Sequence, residues 1–150
     1  MTKPPAFKKY EEALKIARQG KVVTRKVHDL ICAAHEEGDA RATYAFATWL
    51  LFGTRHCKKD LRTAAVLLKQ AAEADIADAA YDLAVSYEGG NGVRKSLKAA
   101  FRYYVQAALL GDAQSHYEIG RMYFWGIGTA RDRDMAELWL AKAEMLGVTE

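Results

Sequence analysis

The chain repeats itself with a period of 36 residues, and no other feature constrains its fold so strongly. The segment Tyr81-Asp82-Leu83-Ala84-Val85-Ser86-Tyr87-Glu88-Gly89-Gly90-Asn91-Gly92 returns as Tyr117-Glu118-Ile119-Gly120-Arg121-Met122-Tyr123-Phe124-Trp125-Gly126-Ile127-Gly128. A weaker copy precedes both, from Tyr44 to Gly53. The downstream half repeats too: Ala64, Ala100 and Ala136 align, as do Leu67, Tyr103 and Trp139, and Ala71, Ala107 and Ala143. The first copy holds one extra residue between its halves, in the stretch from Thr54 to Arg62. Units of this size cannot bury their own apolar faces and must stack on one another.

Each copy reads as two helices. In the third, Ala113, Tyr117, Gly120 and Tyr123 stand about one turn apart and form a stripe. Gly126 and Gly128 stop that helix, since glycine accepts the left-handed backbone that a helix end requires. Asp132 or Asp134 can cap the next helix, which carries Ala136, Trp139, Leu140 and Ala143 and ends at Gly147. Gly111 plays that terminating role one copy earlier, and Asp75 stands at the equivalent place in the first, where it can also cap the helix that follows. Small residues at Ala64, Ala84, Ala100, Gly120 and Ala136 allow close helix approach, and Tyr87, Tyr103, Tyr123 and Trp139 fill the grooves.

The pattern extends upstream in degenerate form. Val27, Leu30, Ile31 and Ala34 match Ala64, Leu67, Leu68 and Ala71, with Phe7, Tyr10, Leu14 and Ala17 as the partner helix. The expected helices run 6–19, 25–37, 39–52, 61–74, 76–88, 96–110, 112–125 and 132–146. The expected organisation is a degenerate N-terminal pair over 1–38, serving as a cap, and three repeats over 39–150, all in a single structural unit. Composition agrees with an all-α chain: 27 of the 150 residues are alanine, and the two prolines, Pro4 and Pro5, precede the first periodic segment.

No apolar run approaches the roughly 20 residues that span a bilayer, and the N-terminus lacks the apolar core of a secretory signal. Two cysteines, Cys32 and Cys57, argue against a disulfide scaffold and for a reducing, cytoplasmic location. The net charge of +3 is uneven, +6 over residues 1–26 and −3 over 27–150. The basic end (Lys3, Lys8, Lys9, Lys15, Arg18, Lys21, Arg25 and Lys26) reads as a solvated capping helix, with docking to an acidic partner as the alternative. Nucleic acid is not an expected partner. Stacked neighbours would cover the faces that a helix-turn-helix presents, and the excess acid beyond residue 26 opposes phosphate contact.

The arrangement Asp-Ala-x-x-x-Tyr-x-(Leu/Ile)-Gly-x-x-Tyr-x-x-Gly-x-Gly, followed by Ala-x-x-Trp-x-x-(Lys)-Ala-x-x-x-Gly, resembles the Sel1-like repeat, an α-solenoid related to the tetratricopeptide repeat. Asp112 to Gly147 carries it best, and Ala77 to Gly111 keeps Tyr81, Leu83, Tyr87, Gly90, Gly92, Lys98, Ala99, Tyr103 and Ala107. The first copy departs: Leu50 replaces the second Tyr, and Arg55-His56-Cys57-Lys58-Lys59 replaces the Gly-x-Gly loop. The resemblance implies a right-handed superhelix of about four helix pairs, with first helices lining a concave face, acting as a protein-binding scaffold and not an enzyme. A small stand-alone array suits an inhibitor such as an immunity protein that sequesters an enzyme or toxin. Members linked to β-lactam hydrolysis resemble secreted proteins with a cysteine pair in each repeat, which this chain lacks.

By helical phase, the inward positions of the first helices are Arg41, Thr48 and Phe52, then Asp78, Val85 and Glu88, then Gln114, Arg121, Phe124 and Trp125. Trp125 and Arg121 are the strongest anchors, because such side chains bury large area and still donate hydrogen bonds. The basic loop Arg55–Lys59 is a second candidate surface. An enzymatic alternative rests on His28, Cys32 and His35 at i, i+4 and i+7, which with Glu36 or Asp39 resemble a zinc ligand set. Only three ligands are local and no Cys-x-x-Cys accompanies them, so no metal or other cofactor is expected. Cys57, beside His56 and near Arg55, Lys58 and Lys59, is in a setting that would favour thiolate, but no acid orients the histidine.

Overall fold

The computed structural model describes residues 5–20 and 23–149, with side chains of the first helix described from Lys8. Lys3 and Lys21 of the basic end, and the Phe7 side chain of the first stripe, lie outside the described residues. Eight helices and no strand occur among the described residues: α1 (Pro5–Gln19), α2 (Arg25–Glu36), α3 (Ala40–Phe52), α4 (Leu61–Glu73), α5 (Ala77–Gly89), α6 (Leu97–Leu109), α7 (Ala113–Trp125) and α8 (Arg133–Met145). Each expected boundary is met to within one residue.

Side chains at the helix starts explain that agreement. Asp39, Asp60, Ser96, Asp112 and Asp132 each accept from a free backbone N–H of the helix they open. Of the two candidates for α8, Asp132 is the cap and Asp134 sits in the first turn. Asp75 does not cap α5. Its φ is +64°, the left-handed position that Gly111 and Gly147 take in later repeats, and Ile76 precedes α5 with no side-chain cap. Aspartate tolerates that backbone better than most residues, so it serves in place of the missing glycine.

The chain forms two compact units, residues 1–74 and 75–150. In the first, α1 packs on α2, α2 on α3 and α3 on α4. Its core includes Ala13, Val27, Ile31, Ala34 and Ala42, with Tyr10, Ile16, Phe46 and Trp49 packed against it. In the second, α5 packs on α6, α6 on α7 and α7 on α8. Here Ala84, Ala100, Tyr104, Ala108, Ile119 and Met122 are buried. Tyr87 stacks on Tyr103 with ring centres 5.5 Å apart, and Phe101 meets Tyr123 edge-on at 5.3 Å. Hairpin stacked on hairpin within each unit is the packing of an all-α solenoid.

Small residues act as expected. A Cβ on Gly120 would lie 2.6 Å from Leu140 Cγ and 3.2 Å from the Leu140 nitrogen, so α7 and α8 approach too closely there for any larger residue without rearrangement. The buried face is wider than the expected stripe, however. In α7 it comprises Ser115, His116, Ile119, Gly120 and Met122, while Tyr117 and Tyr123 are only half-buried. In α6 the fully enclosed aromatic is Tyr104, 2% exposed, and not its neighbour Tyr103. A helix packed on both its hairpin partner and the next hairpin buries two adjoining faces, not one stripe.

Candidate functional site

In the second unit, α7 presents Arg121, Phe124 and Trp125. With Tyr117 and Leu140 of α8 they line a hollow of about 190 Å³. Trp125 is 65% exposed and meets Phe124 edge-on at 4.8 Å. The Arg133 guanidinium lies 3.8 Å above the Phe124 ring, a cation–π contact. The Arg121 guanidinium donates to Glu88 Oε1 at 2.7 Å and Glu118 Oε2 at 2.8 Å. Burial opposes its charge, but the two carboxylates outweigh that and raise its proton affinity above the ordinary arginine value. Glu88 also accepts from Tyr104 Oη at 2.9 Å. Arg121 and Glu88 are therefore partners of each other across α5 and α7, and the exposed members of the group in this unit are Val85, Trp125 and the polar Asp78 and Gln114. Gln114 reaches Glu118 at 3.4 Å.

In the first unit, Arg41 donates to Asp39 Oδ1 and Oδ2 at 3.2 and 3.0 Å and to Glu11 Oε1 at 3.1 Å, and covers the Tyr10 ring at 4.3 Å. Thr48 Oγ1 turns inward to donate to the Ala45 carbonyl at 2.7 Å. Phe52 is 79% exposed. Phe52 and Trp125 hold the same repeat position, the last helical residue before the terminal glycines Gly53 and Gly126. Part of the basic end is neutralised locally: Lys9 pairs with Glu37, Lys26 with Glu12 and Arg25 with Asp29.

The histidines and cysteine of α2 face different neighbours. His28 stacks on Trp49 with ring centres 5.3 Å apart and planes 16° apart, and Cys32 Sγ lies 3.8 Å from His28 Nε2. His35 Nδ1 instead bonds Thr43 Oγ1 at 2.8 Å, and Asp39 is consumed in capping α3. No group of three or more His, Cys, Asp or Glu able to hold a metal occurs among the described residues.

The Cys57 thiol departs from the thiolate expectation. Burial, and then the Asp60 carboxylate, push its proton affinity up. Cys32 is raised as well, by burial first and then by Cys57, Asp29 and Glu36. Both thiols should therefore alkylate sluggishly: at neutral pH the folded protein should react with iodoacetamide about tenfold or more slowly than in guanidinium. Equal rates would restore the activated-thiol reading.

A larger hollow, about 770 Å³, opens in the first unit where the loop after α3 passes α2. Its apolar lining (Phe46, Leu50 and Leu61) left no distinct signal in the sequence, since Phe46 and Leu50 match packed positions of the later repeats (Leu83 and Ile119, Tyr87 and Tyr123) and Leu61 is the first residue of an ordinary second helix.

The Sel1 repeat pattern matches residues 40–76, 77–112 and 113–148. The chain belongs to the Sel1 repeat family. No curated relative matches it. Among solved structures, it is similar to a protective antigen of uropathogenic Escherichia coli displaying an SLR fold, with 26% identity and a TM-score of 0.88 over 97% of this chain and 31% of that one. A Sel1 repeat protein from Oxalobacter formigenes matches with 26% identity and a TM-score of 0.85 over 95% of this chain and 59% of that one. An immunity protein from Pseudomonas aeruginosa shares the fold at 21% identity, with a TM-score of 0.63 over 98% of this chain and 55% of that one. The chain thus spans less than two thirds of each of these proteins. Among its described residues, no helix is long and apolar enough to cross a membrane.

Proposed function

We propose that this Sel1 repeat chain is a non-enzymatic, cytoplasmic scaffold that grips another protein, and more narrowly an immunity protein that sequesters a partner enzyme or toxin. The observation that carries the reading is the pair of large aromatics, Phe52 and Trp125, held in the open at one repeat position. A large exposed ring offers much area for a partner to cover, and aromatics and arginine are the side chains that dominate binding energy in protein interfaces. Arg41 and Thr48 of the first unit, and Asp78, Glu88, Gln114, Arg121 and Phe124 of the second, complete the proposed contact set, with Arg121, held by Glu88 and Glu118, fixing charge at the hollow that Phe124 and Trp125 line. Residues 1–38 act as the cap of the array. The narrower reading draws on the immunity protein of Pseudomonas aeruginosa that shares the fold.

Immobilised chain should retain a protein partner from lysate of the source organism in stoichiometric amount. The double variant Phe52→Ala/Trp125→Ala should weaken that binding by roughly 30-fold or more, the loss of about 2 kcal/mol typical of one interface hot spot. Both sites are exposed, so circular dichroism should remain unchanged. A partner held equally well by the variant would place binding elsewhere, and catalytic turnover by the isolated chain would overturn the scaffold reading.

A further inference from the structure

The loop that links the two helices of each repeat is closed the same way three times: Asp60 N–H donates to the Leu50 carbonyl, Ser96 to Tyr87 and Asp132 to Tyr123, at 2.9 to 3.0 Å. Inside that frame the repeats differ. In the third, Gly128 at φ +67° sits so near the start of α6 that an added Cβ would overlap the Leu97 carbonyl. A glycine there lets the loop lie against the preceding helix. In the first repeat, Arg55 stands at this register, two residues after the terminal glycine, and the loop is one residue longer. Backbone contact of that closeness is closed to a residue with a side chain, and the 770 Å³ hollow lies between this loop and α2.

The chemistry of the hollow is uneven. Phe46, Leu50 and Leu61 supply apolar wall, the His28 and His56 rings stand at its α2 side, 6.0 Å apart between centres, and Lys58, Lys59 and Arg62 add cations. Lys58 and Lys59 form no ion pair with any described residue. The one acid, Asp60, is spent on capping, accepting from Thr63 N at 3.2 Å and Thr63 Oγ1 at 2.6 Å. The loop is also pre-ordered: Thr54 N–H donates to the Cys57 carbonyl at 2.8 Å and His56 N–H to Thr54 Oγ1 at 3.2 Å. The volume falls within the roughly 300–1,000 Å³ of ligand-binding clefts.

We infer that this hollow is a docking site for an acidic segment of a partner protein that carries an apolar residue beside its carboxylates. Carboxylates match the unpaired lysines, and the apolar side chain matches the wall between α3 and α4. A nucleic acid fits less well, because the cations cluster at one hollow and do not track along a backbone. The inference rests on the scaffold reading and names the chemistry of its partner.

A short fluorescein-labelled peptide of alternating glutamate and leucine is the probe, followed by anisotropy. It should bind, should weaken about tenfold or more in Lys58→Glu/Lys59→Glu, and should release as salt rises. Lys58→Gln/Lys59→Gln should fall between, and unchanged helical circular dichroism checks folding. Replacing leucine by serine in the peptide should also weaken binding severalfold, the loss of apolar burial. Failure of the glutamate–leucine peptide to bind, equal binding to the charge-reversed protein, equal binding of the serine peptide, or tighter binding of oligouridylate would each overturn the proposal. If a lysate partner stays on Lys58→Glu/Lys59→Glu but leaves Phe52→Ala/Trp125→Ala, the docking site fails and the scaffold stands. If the peptide responds as stated while no protein partner is retained, the scaffold reading fails instead.

Discussion

Gly128→Ala should lower unfolding free energy by about 3 kcal/mol, from two separable causes. Holding an L-residue in the left-handed region costs roughly 1–2 kcal/mol, and Gly128 has φ +67°. The added methyl would then overlap the Leu97 carbonyl and press on the Lys98 nitrogen, 3.2 Å away. Those atoms are backbone at the start of α6, so no rotamer change relieves them, and overpacking of this kind adds about 1–3 kcal/mol. Gly111→Ala is the internal control. Its φ is +101°, but an added Cβ there meets nothing within 4 Å, so it carries the backbone cost alone. Urea unfolding of both variants measures the difference at unchanged m-value. A Gly128→Ala loss no larger than that of Gly111→Ala would show that the loop does not press on α6.

Alkaline pH should unfold the protein through Tyr104. Its phenol is 2% exposed and donates to Glu88, and burial first, then the Glu88 charge, raise its folded proton affinity far above the ordinary value of 10.0. Tyr81, 5.5 Å away between ring centres, is raised too, again by burial first. With the folded value raised, the stabilisation is complete below pH 10, where the unfolded phenol is still protonated. It is lost as pH rises further, because the unfolded chain releases a proton that the folded chain keeps. Tyr104 should remove about 1.4 kcal/mol of stability per pH unit above 10, and Tyr81 adds to the loss in the same direction. Tyr104→Phe should reduce that slope, at a cost of about 1.5–3 kcal/mol at neutral pH from the lost bond to a charged acceptor. Denaturant midpoints between pH 7 and 12 test this; an identical alkaline slope in Tyr104→Phe would place the effect on other groups.

Trp125 and Arg121 show how far sequence reading reaches toward the site. Both lie in α7, Trp125 as its last residue and Arg121 one turn earlier. The phase could not show that Arg121 is held by Glu88 and Glu118 while Trp125 stays bare, because Glu88 lies 33 residues away and on another helix. Likewise Cys57 beside two lysines reads as an activated thiol, yet its enclosure reverses that outcome. The hollow beside α2 left only an indirect trace, the loss of Gly-x-Gly in the first repeat.

What the amino-acid order determined unaided was the run of eight helices, the repeat period and the family. These depend on signals that act over three or four residues: a capping aspartate, a glycine at a left-handed end, a recurring alanine. Tertiary structure alone decided that Tyr104 and not Tyr103 is enclosed, that Asp75 takes a glycine's place, which charges are neutralised and where a cavity opens. Burial and electrostatic pairing depend on what the next hairpin brings to each face, and a helix read by itself carries no record of that neighbour.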